Sequence, residues 1–381
     1  MRPRPNPATT ALLAAALLLP ALATANDTAV GGQGASFGPI EEDRAAMAAE
    51  HIRIRLDDGV FHVHATYHLV NLTDEPLAIE VGFPEYVCTW GECLDGVYEA
   101  FKDMHTTVRG EPVPPVVRAT GADSEWSEHY PRIWVFPVAF APRERVEVVH
   151  TYRVIPSQSS MGHLHLTYVV RTGANWGAPI GSAVFELDLP GDLCGLHMSP
   201  SDPDAARLGY ITLTGQTATD DREALDAALD DAAARHPMLP LRNEETGRWH
   251  VRWEHADWVP DDDFHINTTP WSACLMEMNC PYLWDTESPD REDTVQRIAQ
   301  DHPPEHLRQC RNLAWAVTGY AFSSEDLRAH FHGTDATAFR NVNALPHAPD
   351  PGWSEDRLTR HMLDYARLLR DAERLQRAAG P

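Results

Sequence analysis

The chain has 381 residues, 31 Lys+Arg against 56 Asp+Glu, and a formal charge of −25. Such a surface repels phosphate backbones and anionic headgroups, which argues against nucleic acid as a partner. With 43% hydrophobic residues the chain can bury a core, and its length exceeds what one core holds compactly, so two units are expected.

Residues 1–25 read as a cleavable signal peptide. Arg2 and Arg4 precede an apolar stretch over 11–22, and Ala23-Thr24-Ala25 has the small-x-small pattern of a cleavage site. The apolar run is shorter than the roughly 20 residues that cross a bilayer, and Pro20 breaks it, so a membrane anchor is the weaker reading. No cysteine follows the cleavage point to carry a lipid, and the last residues, 374–381, are polar and charged. The expectation is an exported protein, periplasmic or extracellular, without a membrane anchor.

From 52 to 189 the text alternates with the two-residue period of strands. Predicted strands fall near 52–56, 60–70, 79–81, 133–138, 146–154, 164–170 and 183–189, separated by turn clusters such as Asp57-Asp58-Gly59. Further strands are expected at 210–213 and 249–253, with an Ala-rich helix inserted near 220–235 and stopped at Pro237. After about Pro281 the period becomes helical. Ser288-Pro289 reads as a helix start, Val295 and Ile298 share a face, and Leu307, Cys310, Ala314 and Val317 form a second stripe. Ser323 with Asp326 makes a weak capping box before Leu327 and Phe331, and Ser354 opens a last helix faced by Leu358, Met362, Tyr365, Leu369 and Ala372. The fold class is therefore mainly β: an antiparallel β-sandwich over 26–280 followed by a small α-helical domain over 284–381.

Six cysteines in an exported chain point to disulfides. Spacing favours Cys88 with Cys93 and Cys274 with Cys280 as local staples, leaving Cys194 with Cys310, one of about 15 possible pairings. A structural zinc held by the C-x4-C and C-x5-C pairs is the alternative. His62, His64 and His68 share one strand face, and His163 with His165 repeats the spacing; if the two strands were neighbours, four or five imidazoles could meet at one metal. The bland reading is a solvated sheet face.

Trp249, Val251 and Trp253 have one parity and read as core, with Trp258, Trp271 and Trp284 nearby. Gly173, Asn175 and Gly177 read as a turn needing positive φ, and Asp261-Asp262-Asp263 as an acidic turn rather than a calcium loop. No Gly-x-Ser-x-Gly elbow or His-Glu-x-x-His helix is present, and no cofactor motif is read.

Arg171 to Gly181, reading Arg-Thr-Gly-Ala-Asn-Trp-Gly-Ala-Pro-Ile-Gly, resembles the TGANW-x-x-PIG signature of a family of secreted bacterial proteins known as a domain of unknown function. Gly31-Gly32, the 47–54 segment, Val70-Asn71, Val81-Gly82-Phe83-Pro84 and the 253–264 segment resemble its other landmarks, so the likeness spans roughly 26–266. It implies an exported envelope protein and brings no catalytic residues. Residues 311–322, followed by Leu327-Arg328 and Phe331, look like the extracellular YARHG module, with Val317-Thr318 where the module's name has Arg-His. The resulting expectation is a non-enzymatic binding module for cell-wall material or another envelope protein. The alternative is a metal-binding protein or metal-dependent hydrolase using the strand histidines.

Overall fold

The computed structural model describes residues 27–86, 101–124, 126–127, 130–159, 162–199, 241–243, 246–260, 263–281, 290–332 and 349–379. The expected signal peptide (1–25), the strand at 210–213, the helix near 220–235, and Cys88, Cys93, Asp261, Asp262 and Trp284 lie outside them. In chain order the strands are β1 (Thr28–Gly31), β2 (Gly38–Pro39), β3 (Ala45–Asp57), β4 (Val60–Asn71), β5 (Leu77–Glu85), β6 (Phe101–Val108), β7 (Glu111–Pro112), β8 (Val116–Ala119) and β9 (Arg132–Phe140). They continue as β10 (Arg145–Val154), β11 (Ser157–Gln158), β12 (Leu164–Tyr168), β13 (Ile180–Leu189), β14 (Gly195–Ser199), β15 (Leu241–Arg242), β16 (Trp249–Trp258) and β17 (Phe264–Thr269). Helices follow: α1 (Trp271–Glu277), α2 (Arg291–Asp301), α3 (Pro304–Val317), α4 (Glu325–His332) and α5 (Arg360–Ala379).

The strands form three sheets, an eight-stranded β15-β16-β13-β3-β4-β10-β6-β7, a five-stranded β2-β1-β5-β9-β8 and a four-stranded β11-β12-β17-β14. The Asp58-Gly59 turn sets the longest hairpin. Both residues take positive φ, 48° and 74°, the mirror-image turn whose twist matches a strand pair, and Asp57 then faces Val60. Pairing is antiparallel apart from β13 beside β3, which run parallel. That departs from the all-antiparallel expectation, because a long crossover, not a hairpin, joins these two strands.

Alternation then decides what is buried. Phe61, Val63, Ala65, Tyr67 and Leu69 of β4 are within 3% of full burial, and they share one apolar cluster with Val81 and Phe83 of β5 and Phe136 of β9. At the other end of the same cluster Phe185 of β13 stacks on Trp253 of β16 at 4.4 Å, and Trp253 meets Phe264 of β17 at 4.6 Å. One apolar cluster is thus shared by residues of the eight-stranded, five-stranded and four-stranded sheets. Trp249, Val251 and Trp253 are core, as their parity required.

The helices build a second apolar cluster from Ile298, Leu307, Leu313, Val317, Phe331, Met362, Tyr365 and Leu369. Their starts differ from the expected ones. Asp290, not Ser288, caps α2 by accepting from the Glu292 and Asp293 amides at 2.9 and 3.2 Å. Ser354 precedes only a short 3-10 turn, Glu355–Arg357, and Thr359 caps α5 by accepting from the Met362 amide at 3.2 Å. A glycine ends α3: Gly319 has φ 90°, its amide reaches the Ala316 carbonyl, and the Tyr320 amide reaches that of Trp315.

Among the described residues the disulfides are Cys194–Cys274 and Cys280–Cys310, with Cα separations of 6.2 and 5.6 Å, which replaces the Cys274–Cys280 and Cys194–Cys310 pairing expected from spacing. The segment read as a short loop is the helix α1. Cys274 lies within α1 and Cys280 beyond the turn that ends it, where the Cys280 amide reaches the Leu275 carbonyl at 2.8 Å, and each cysteine is joined to a different partner. Cys274 ties α1 to the sheet edge and Cys280 ties the following segment to α3. Among the described residues no helix is long and apolar enough to cross a membrane.

Candidate functional site

His62 and His64 are exposed and His68 half-buried on the outer face of the eight-stranded sheet, whereas His165 lies on β12 of the four-stranded sheet and His163 immediately precedes that strand. β4 pairs with β3 and β10, and β12 with β11 and β17, so the two histidine strands are not neighbours and the shared imidazole centre does not form. Among the described residues, Cys280, His306 and Cys310 are the group whose donor atoms gather closely enough for a metal. Two of those donors are joined to each other in a disulfide and are not thiolates.

His163 and His165 do acquire partners. Register puts His165 opposite Asn267 and Thr167 opposite His265, so one face of β12 and β17 is a row of polar side chains. His163 Nδ1 lies 3.2 Å from Thr269 Oγ1 and its Nε2 3.1 Å from Glu277 Oε1. His165 Nδ1 contacts Asn267 Oδ1, and His265 Nδ1 is 3.0 Å from Thr167 Oγ1. The rings of His163 and His165 are 6.5 Å apart, and Tyr86 meets His265 edge-on at 6.4 Å. Glu277 reaches this row from α1, which begins two residues after β17 and is also tied to Cys194 through the Cys194–Cys274 disulfide. The side chains of His163 and Glu277 keep 22% and 23% of their exposure, a half-buried setting. Sequence reasoning missed His265, Asn267 and Glu277. The strand parity of 264–269, with Phe264 and Ile266 inward, held the signal for the first two; Glu277 joins from the helix that follows β17, a segment read as a short loop.

The signature loop does structural work. Residues Arg171–Asn175 form a 3-10 turn, and neither Gly173 nor Gly177 has the positive φ expected of them. Gly177 is required for close approach: a Cβ there would sit 2.5 Å from the Asp43 carbonyl oxygen. Asn175 Nδ2 donates to Thr28 Oγ1 at 2.8 Å, and Trp176 Nε1 donates to the Asp27 carbonyl at 2.7 Å. Asp263, the last of the acidic run, accepts from the Val170 and Arg171 amides, each at 3.1 Å, and from the Tyr130 hydroxyl at 2.6 Å. Burial pushes its carboxyl above the usual aspartate range, against the pull of those donors.

Beneath β1 lies a second polar cluster. His150 is fully buried, with Nε2 3.2 Å from both Asp27 carboxylate oxygens and Nδ1 2.8 Å from Thr106 Oγ1. The rings of Phe83, Phe136 and Tyr67 surround it at 5.0, 5.2 and 5.7 Å. Burial raises the Asp27 carboxyl and His150 counters it. The order acid, imidazole, hydroxyl resembles a hydrolytic relay, but all three side chains are sealed between two sheets and meet no substrate. Their effect is to hold β1 in place. His150 shares its strand face with Val146, Val148 and Tyr152, so its inward parity was readable from the sequence.

No family model matches the chain, and no curated protein matches it. Among solved structures, a Legionella pneumophila protein described as a "putative nutrient binding protein" is similar over 91% of this chain and 99% of its own, at 18% identity and a TM-score of 0.49. An M1 zinc metallopeptidase from Deinococcus radiodurans is similar over 61% of this chain and 45% of its own, at 8% identity and a TM-score of 0.31. Likeness at these levels carries no functional argument.

Proposed function

We propose that this is an exported cell-envelope binding protein of the secreted family whose TGANW-x-x-PIG signature it carries. A β-sandwich over 26–280, antiparallel apart from the β13–β3 pair, presents the binding face, and a YARHG-like helical unit over 284–381 is joined to it. The sandwich reading is supported by the single apolar cluster shared between the eight-stranded sheet and the two sheets over it. The helical reading is supported by the cap at Gly319 and by Tyr320 and Phe322 packing at 5.1 Å.

The observation that carries the binding function is the half-buried row of His163, His165, Thr167, His265, Asn267 and Glu277. Imidazoles, hydroxyl, amide and carboxylate offer alternating donors and acceptors, the chemistry that holds the hydroxyls of a glycan or the amides of a wall peptide. Cell-wall material is accordingly the ligand class. The test is co-sedimentation of the mature, oxidised protein with purified peptidoglycan, beside a His163→Ala/Glu277→Gln variant of unchanged melting temperature. Retention of the parent and about tenfold weaker retention of the variant is expected, the size of one or two lost polar contacts. If the parent stays in the supernatant, or both pellet equally, this face is not the wall-binding site.

A further inference from the structure

The Cys280–Cys310 disulfide has a third donor beside it. His306 and Cys310 stand four residues apart on α3, one turn along one face of the helix. His306 Nε2 lies 2.9 Å from the Asn279 carbonyl oxygen and 3.5 Å from Cys310 Sγ, so its N–H is held between the backbone next to Cys280 and the sulfur of Cys310. One donor atom from each of Cys280, His306 and Cys310 falls within 4.8 Å of the other two. Around a tetrahedral zinc, with Zn–S about 2.3 Å and Zn–N about 2.0 Å, neighbouring ligand atoms stand about 3.5–3.8 Å apart. Side-chain rotation covers that difference once the two sulfurs are no longer bonded to each other.

The frame that carries these donors is built without the sulfur–sulfur bond. Cys280 is placed by the end of α1: Asn279 takes φ 54°, its amide reaches the Met276 carbonyl at 2.9 Å, and the Cys280 amide reaches that of Leu275 at 2.8 Å. The next residue is fixed to α5, because the Pro281 carbonyl accepts from the Tyr365 hydroxyl at 2.8 Å. On the opposite side Leu307 and Leu313 seat α3 in the apolar cluster with Met362 and Leu369. His306 is half-buried, which leaves the cluster one side open to an entering ion. The Cys194–Cys274 disulfide has no such company. Among the described residues no other three His, Cys, Asp or Glu donors gather as closely, and Cys194 Sγ faces the Thr269 carbonyl at 3.6 Å.

We propose that Cys280, Cys310 and His306 form an interchangeable staple, a disulfide in the oxidised chain and a zinc site in the reduced one. A dithiol reductant passes two electrons to the disulfide and leaves as its own disulfide, its two protons going to the Cys280 and Cys310 sulfurs. Zinc then displaces both thiol protons as two Zn–S bonds form. His306 Nε2 joins as neutral imidazole, with the ring hydrogen moved to Nδ1, and water completes the four-coordinate shell. Two thiolates and an imidazole favour zinc over calcium and magnesium, which take oxygen ligands. In either state the segment after α1 stays tied to α3, so the helical region keeps its closure across a change of redox conditions. The site is independent of the polar row of the four-stranded sheet and of whether that row binds the wall.

The experiment reduces the full chain with a phosphine, then measures zinc retained after desalting beside the oxidised chain. Alkylation by iodoacetamide with and without zinc, mapped by peptide mass spectrometry, locates the thiols that the metal covers. The reduced chain is expected to retain zinc that the oxidised chain does not, with Cys280 and Cys310 protected from alkylation only when zinc is present. His306→Gln keeps a side-chain N–H for the Asn279 carbonyl and should leave the melting temperature of the oxidised chain unchanged. In the reduced chain it should weaken zinc binding about tenfold or more and shift the visible bands of cobalt bound in place of zinc. Absence of zinc from the reduced chain, equal retention by the oxidised chain, or protection of the other cysteines in place of Cys280 and Cys310 overturns the proposal. So does a His306→Gln variant with the parent's zinc affinity and cobalt bands.

Discussion

Between β4 and β9 the interior holds an ionisable pair and hydrogen-bonded tyrosines, whereas between α3 and α5 it is almost wholly apolar. In the strand region His150 sits on Asp27 and Thr106, the Tyr67 and Tyr168 hydroxyls meet at 2.7 Å, and buried Glu85 accepts from Arg132 at 2.8 Å and Trp134 Nε1 at 3.0 Å. In the helical region Leu307, Leu313, Met362 and Leu369 fill the centre; the buried polar groups Thr318 and Glu373 answer to Trp353 and Arg311 at its margin. The contrast follows from the backbone. A helix satisfies its own amides, so its placement can be left to apolar packing, caps and covalent ties. A sheet must choose a register, and β1 is too short to choose one by apolar burial alone; specific polar partners do so.

The largest effect expected from this contrast is at Asp27. Asp27→Ala strips the acceptor from a fully buried imidazole, and breaking one side of such a pair costs about 3–5 kcal/mol. Asp27→Asn keeps an oxygen for His150 Nε2 while removing the buried charge, so it should cost markedly less. Urea midpoints at matched slope measure both. A loss below about 1 kcal/mol for the alanine variant, the scale of one ordinary hydrogen bond, would mean the cluster does not hold β1.

Next in size is the covalent tie. Cys280→Ser/Cys310→Ser opens a loop closed by residues 30 apart in sequence, and losing such a crosslink costs about 2–4 kcal/mol. The loss should fall on the helical region: amide exchange in α2 and α3 should accelerate while that of β4 stays slow. Equal acceleration in both would show that the two regions unfold as one unit.

How much of this was legible in the sequence depended on whether the information was local. Strands such as β4, β10 and β13 could be read because an alternating face needs only its own residues, and the α3 stripe is local for the same reason. The parallel partnership of β13 with β3, the separation of His62 from His163, and the disulfide partners were not legible, since each depends on which distant strand or helix arrives alongside. The polar row shows both cases. His163 and His165 were singled out by spacing, His265 and Asn267 share that parity on β17, and Glu277 is delivered by a helix read as a loop. The signature residues Asn175 and Trp176 were recognised as a motif before their task, tying down Asp27 and Thr28, could be seen.

The smallest effect sharpens the comparison through its sign. Arg308, followed by Ser324, holds the exposed Asp326 carboxyl well below the usual aspartate range, so this pair stabilises α4 at neutral pH and the contribution is lost as pH falls through the lowered value. Burial moves Asp27 and Asp263 the other way. For a raised carboxyl, the favourable contribution is full below the unfolded-state value and is lost as pH rises through the folded one. Acid therefore weakens the tie of α4 to α3 while relieving the strand interior of buried charge. Asp326→Asn should lower the stability of α4 at neutral pH by a small amount, and the gap from the parent protein should close in acid, as followed by amide exchange at Leu327 and Phe331 across a pH series. A gap that stays constant from neutral pH into acid would show that the Arg308 pair contributes nothing, and that the two regions do not answer to pH with opposite signs.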